Sequence, residues 1–72
     1  MATSRGRADV VLKMPSTIYV MELKYNKTAA EALAQIDERG YADPYLNDGR
    51  RIVRVGINFG SKERNINEWI TA

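Results

Sequence analysis

Two apolar-rich runs open the pattern. Arg7-Ala-Asp-Val-Val-Leu-Lys13 is short and β-rich, and Ile18-Tyr-Val-Met-Glu-Leu-Lys-Tyr25 follows it. Between them Met14-Pro15-Ser16-Thr17 reads as a turn, because Pro15 fixes φ and has no N–H to give. Two such runs joined by a short loop predict a β-hairpin. Alternation puts Tyr19, Met21, Leu23 and Tyr25 on one face of the second strand. Ile18, Val20, Glu22 and Lys24 share the other. The spacing then turns helical: Ala29, Ala32, Leu33 and Ile36 form one apolar stripe. Thr28-Ala-Ala-Glu31 is a capping box at its start, and Gly40 is the natural left-handed stop. Tyr41 to Leu46 predicts a further short helical turn, broken around Pro44, and Asn47-Asp48-Gly49 a loop. Arg51 to Phe59 predicts a third strand. Val53, Val55, Ile57 and Phe59 line one of its faces, with Arg54, Gly56 and Asn58 on the other. Gly60 to Glu63 turns the chain, and Asn65 to Ile70 is a weaker last strand or a ragged end.

The predicted order is β-β-α-β-(β), an α/β class with a mixed or antiparallel sheet and one main helix. Residues 1–6 read as a flexible lead and residues 7–72 as one domain, with no repeat, linker or low-complexity segment. At 72 residues the chain allows one domain at most, and a core that takes only ~60% of the unfolded surface out of water. Its 44% hydrophobic and 28% charged residues belong to a folded domain and not a disordered one. No apolar run approaches the ~18 residues of a membrane span. The polar, basic start Met-Ala-Thr-Ser-Arg-Gly-Arg offers no signal peptide, so a cytoplasmic setting is expected.

The absence of Cys and His removes whole classes of chemistry. Disulfides, Cys/His zinc sites, thiol nucleophiles and imidazole bases are out. Any metal here is a hard, oxygen-ligated one such as Mg²⁺, Mn²⁺ or Ca²⁺. A net charge of +2 permits a nucleic-acid partner without demanding one.

The second strand ends with Glu22 and Lys24 on one face of an otherwise apolar run. Buried, such charges cost several kcal/mol each unless they are paired or bind a metal. Alternatively the strand end is simply solvated. The first strand bears on the choice. Pairing Lys13 with Ile18 across the loop puts Asp9 directly opposite Glu22. Opposed residues have Cβ atoms ~4.5–5.5 Å apart, and like charges there repel unless something positive lies between. A divalent cation meets that need, with Lys24 beside it. Two carboxylates holding a metal, plus an ammonium at the same water, suit phosphodiester hydrolysis without histidine.

Asp9, then Glu22-Leu23-Lys24 on the second strand of a hairpin, then a helix, resembles the PD-(D/E)XK nuclease superfamily. Gly6-Arg7-Ala8-Asp9, Val20-Met21-Glu22-Leu23-Lys24 and Ala32-Leu33-Ala34-Gln35-Ile36 are similar to one bacterial branch of it. So are Gly40-Tyr41, Val55-Gly56-Ile57-Asn58-Phe59 and Asn65-Ile66-Asn67-Glu68-Trp69. In that branch the nuclease-like domain lies at the C-terminus of an AAA-ATPase-like protein. The resemblance covers roughly residues 6 to 70. It implies a restriction-endonuclease-like core and a Mg²⁺- or Mn²⁺-dependent nuclease with a nucleic-acid partner, DNA in preference to RNA as the expected one. Asp9 and Glu22 match the metal-binding acids and Lys24 the catalytic lysine. Gln35 matches the helix glutamine beside the site, and Tyr41 the aromatic after it. From the residues alone, Gln35 is equally an ordinary helix-edge glutamine and Tyr41 a core aromatic.

Ala8 stands where the superfamily name has proline. The helix that normally opens the fold is not in the pattern, which predicts a truncated core. Arg7, Lys27, Arg50, Arg51 and Arg54 are candidate phosphate contacts, with Arg50, Arg51 and Arg54 the densest group; the alternative is a solvated strand edge. Trp69 is expected to pack on the core. One helix covers one sheet face, so self-association as a homodimer is expected of this chain. The other reading of function is an inert nuclease-derived module that binds, regulates or dimerises within a larger ATPase-like protein.

Overall fold

The computed structural model describes residues 8–60, 62 and 65–72. The expected lead at residues 1–6, Arg7, and Ser61 and Glu63 of the last turn lie outside the described residues. Four strands and one helix follow in the order the pattern predicts: β1 (Val10–Lys13), β2 (Thr17–Tyr25), α1 (Ala29–Glu38), β3 (Arg51–Gly60) and β4 (Asn65–Thr71). They form one mixed sheet in the order β1-β2-β3-β4. β1 pairs antiparallel with β2, β2 parallel with β3, and β3 antiparallel with β4. The parallel pair requires a crossover, and α1 supplies it. This is a small restriction-endonuclease-like core.

The hairpin register is the one the loop length dictates, with Lys13 opposite Ile18 and Val10 opposite Met21. The Met14 N–H donates to the Thr17 carbonyl at 2.8 Å and closes the turn. β1 begins at Val10, later than the run from Arg7 predicted. The reason is local: the Asp9 carboxylate, in place of a backbone carbonyl, accepts the Leu23 N–H at 2.9 Å.

Both ends of α1 are fixed by its own sequence. Thr28 Oγ1 accepts the Glu31 N–H at 3.0 Å, and Glu31 Oε1 accepts the Thr28 N–H at 3.0 Å. These bonds satisfy two of the donors that a helix start leaves free. At the other end Gly40 adopts φ +64°. The Tyr41 N–H reaches the Ile36 carbonyl at 3.0 Å and the Gly40 N–H the Asp37 carbonyl at 3.2 Å, a Schellman closure. It folds Tyr41 back beside Ile36, where both are buried. Pro44 does not break the next turn. It is the second residue of a 3₁₀ turn, Asp43–Tyr45, where its fixed φ suits the first turn and its missing N–H is not needed.

The core lies between α1 and one sheet face. Ile18, Val20 and Ile36 are fully buried, with Ala8, Tyr41 and Ala42 around them and Val11, Leu33, Tyr45 and Ile52 at the margin. The helix backbone comes down onto β3 at Gly56. A Cβ there would lie 2.3 Å from the Ala29 carbonyl oxygen and 2.6 Å from the Leu33 nitrogen. The opposite face is different. Register places Tyr19, Met21, Leu23 and Tyr25 of β2 directly beside Val53, Val55, Ile57 and Phe59 of β3, so both apolar sets share it. Val10 and Leu12 join them opposite Met21 and Tyr19, and Trp69 opposite Ile57. Among the described residues no helix packs there. Trp69 therefore corrects the expectation of a core residue: it is 66% exposed. Glu68, paired with Asn58, turns to the helix side, and alternation sends Trp69 to the open side. No helix among the described residues is long and apolar enough to cross a membrane.

Candidate active site

The hairpin and the helix bring Asp9, Glu22, Lys24, Gln35 and Tyr41 to the helix-bearing face. Asp9 sits one step beyond the last β1–β2 pair, Val10 with Met21, and so stands beside Glu22. Glu22 is buried although it is charged. Burial pushes its carboxyl above the ordinary glutamate value, and the Asp9 charge pushes the same way. A backbone hydrogen bond from Asp9 and the charges of Lys24 and Arg39 act against that rise.

Gln35 ties the group together. Its amide nitrogen donates to Glu22 Oε2 at 2.5 Å and reaches the Tyr41 hydroxyl at 3.4 Å. Its carbonyl oxygen accepts from Lys24 Nζ. One half-buried glutamine thus holds the carboxylate with one end and the ammonium with the other. It can do so because it borders the apolar stripe of α1, and the stripe is seated on β2 and β3. Tyr41 arrives by the Schellman closure and is buried against the core, so it is a core aromatic as well as a neighbour of the site.

The second Glu22 oxygen, Oε1, is buried without a hydrogen-bond partner. An unpaired buried carboxylate oxygen is expensive. With Asp9 alongside, it presents hard oxygen donors of the kind Mg²⁺ and Mn²⁺ take. Among the described residues no group of three or more acidic, His or Cys side chains gathers. Two carboxylates nonetheless suffice for Mg²⁺, which commonly keeps waters and substrate phosphate as its other ligands. The donor set fits the ion.

A cleft of about 330 Å³ opens beside this group, lined by Lys24, Lys27, Glu31, Ala34, Gln35 and Glu38. Lys27 is held at its rim by its backbone: its N–H donates to Asn58 Oδ1 at 2.8 Å. The arginine group does not assemble. Arg50 pairs with Asp48 at 2.7 Å, and Arg54 with Asp37 at 2.5 Å. Arg51 stands beside Thr17 on the open sheet face, whereas Arg54 stands beside Val20 on the helix face. Strand alternation separates residues that the sequence clusters.

The side chains at the site, brought together from separate elements, agree with a match along the chain. The profile of the PD-(D/E)XK nuclease superfamily matches residues 1–69. The chain belongs to this superfamily. PD-(D/E)XK nucleases are generally dependent on a divalent metal, in keeping with the oxygen donors of Asp9 and Glu22. A protein of Azotobacter chroococcum mcd 1, described as an uncharacterized protein in the vnfD 5' region, is 34% identical over 67 residues. That match covers 90% of this chain and 13% of the relative, so this PD-(D/E)XK domain corresponds to a small part of that protein's length. No solved structure matches the chain.

Three residues around the site carried no role in the sequence reading. Arg39, the C-cap of α1, acts on the Glu22 charge. Asn58 is buried behind Lys24 and fixes the Lys27 amide. Glu68 Oε1 accepts the Ala29 N–H at 2.9 Å and so anchors the start of α1 to β4. Asn58 left a trace in the pattern, as a polar residue on one face of an apolar strand, and Glu68 stood within a quoted motif; Arg39 left none.

Proposed function

We propose that this chain is a metal-dependent nuclease core that hydrolyses phosphodiester bonds in DNA, with Asp9, Glu22 and Lys24 as its reactive groups. The observation that carries the reading is the buried Glu22 carboxylate, with one oxygen unpaired, beside Asp9 and joined to Lys24 through Gln35. Asp9 and Glu22 would hold Mg²⁺ or Mn²⁺. When bound, the ion supplies a water of lowered pKa and stabilises charge on the phosphate. Lys24 Nζ, on the same face, donates to the attacking water and offsets the charge that grows on the phosphoryl oxygens. Gln35 and Tyr41 orient Lys24 and Glu22. Lys27, at the cleft rim, contacts the backbone of the substrate, and Arg7 is assigned the same role.

The match to 13% of a relative supports reading the chain as one module of a longer protein. We further propose that it works beside an ATPase-like region of that longer protein, in the cytoplasm. The test is cleavage of a labelled DNA duplex with Mg²⁺ or Mn²⁺. Lys24→Ala is expected to lower the rate by about 10²-fold or more while duplex affinity, read by fluorescence anisotropy, stays within a few-fold. A Lys24→Ala chain that cuts like wild type sinks the mechanism. Metal binding without cleavage of any DNA or RNA favours an inert binding module instead.

A further inference from the structure

The sheet face that no helix covers among the described residues is continuous across all four strands, and large apolar side chains stand exposed at its margins. Val10 is 52% exposed, Leu12 45%, Tyr25 61% and Trp69 66%. We infer that this face is occupied by a second copy of the same chain, in an isologous face-to-face dimer.

Charge is the first argument. Register puts Asp9, Glu22, Lys24 and Arg54 on the helix side of the sheet. Among the described residues the open face carries one charged side chain, Arg51, at its corner beside Thr17. A nucleic acid or an acidic protein finds nothing there to pair with. A copy of the face meets it without like-charge repulsion, and two-fold symmetry makes any such patch its own partner.

Area is the second argument. Strands ~4.8 Å apart rising ~3.3 Å per residue make a four-stranded face of roughly 500 Å², before the relief of its side chains is counted. Two copies bury about 1,000 Å² or more, the level at which an interface becomes specific. Left bare, one face lies at the upper end of the ~300–600 Å² patches found on monomers. Two sheets of the same twist pack about 10 Å apart with interlocking side chains. Trp69 and Tyr25 supply the large rigid anchors that such interfaces concentrate. The helix side, with the site, stays outward on both copies.

Sedimentation equilibrium of the intact chain across the micromolar range tests this. The expected result is a species of twice the 8.1 kDa mass. Trp69→Lys and Val10→Glu change side chains that are exposed in the single copy, so each variant keeps wild-type far-UV circular dichroism. Trp69→Lys weakens association by about thirtyfold or more, and Val10→Glu weakens it in the same sense. Leu46→Lys alters a residue just as exposed, at 62%, but in the connection after the 3₁₀ turn, and leaves the dimer intact. An 8.1 kDa species throughout overturns the inference. So does a dimer that both face variants leave untouched, or one that Leu46→Lys breaks equally.

Discussion

Glu22 shows what a single position can and cannot announce. Its pairing with Asp9 was legible, because loop length fixes hairpin register and register fixes who stands opposite whom. Its depth was not, since burial depends on where α1 settles. Arg39 was illegible for a related reason: its nearness to Glu22 follows from how the helix end lies over the sheet. Burial and the Asp9 charge raise the Glu22 carboxyl from its ordinary value of 4.5. Between 4.5 and the raised value the metal-free folded chain therefore holds a proton that the unfolded chain has already released. Stability falls as pH rises through the window between 4.5 and the raised value, and the cost persists at neutral pH. Glu22→Gln escapes that cost. In EDTA at neutral pH it should melt above wild type by scanning fluorimetry, with the gap closing as pH drops below 4.5. Adding Mg²⁺ should raise the wild-type melting temperature and leave Glu22→Gln where it was.

At the scale of elements, the helix was the most legible piece, since capping box, apolar stripe and stop glycine all agree. Strand alternation gave the faces of β2 and β3 correctly. What it withheld was the partner of each face: both apolar sets turned out to lie together because β2 and β3 run parallel in register. The same alternation scattered the Arg50, Arg51 and Arg54 group. Gly56 was readable only as a small residue in a strand, whereas in the fold it is the contact point of α1. An added methyl there meets backbone, which has no rotamer to change, so the helix must lift. Gly56→Ala is expected to cost about 1–3 kcal/mol, a large share of a small domain's stability. Urea unfolding should show the lower midpoint with an unchanged slope. Cleavage should fall too, because lifting α1 carries Gln35 away from Glu22 and Lys24.

At the scale of the whole molecule, fold class followed from the alternation of elements, whereas the choice between a mixed and an antiparallel sheet is made only by the parallel β2–β3 pairing; the single helix already implied that one side of the sheet would lack cover. The groups assembled at the site, Asp9, Glu22, Lys24, Gln35 and Tyr41, all precede β3, and the last two strands serve as backing. Between the halves runs the exposed Asn47–Gly49 loop, where Gly49 has open space around it. The chain is thus divisible into a reactive half and a supporting half. Severed between Asn47 and Asp48, neither peptide should cut alone, since the first lacks its parallel neighbour strand and the second lacks the carboxylates. Mixed, they should regain activity with a dependence on the concentration of the second peptide. Recovery would convert the β2–β3 pairing from an intramolecular event into a titratable one, making the chain a reporter for any two proteins fused to its halves.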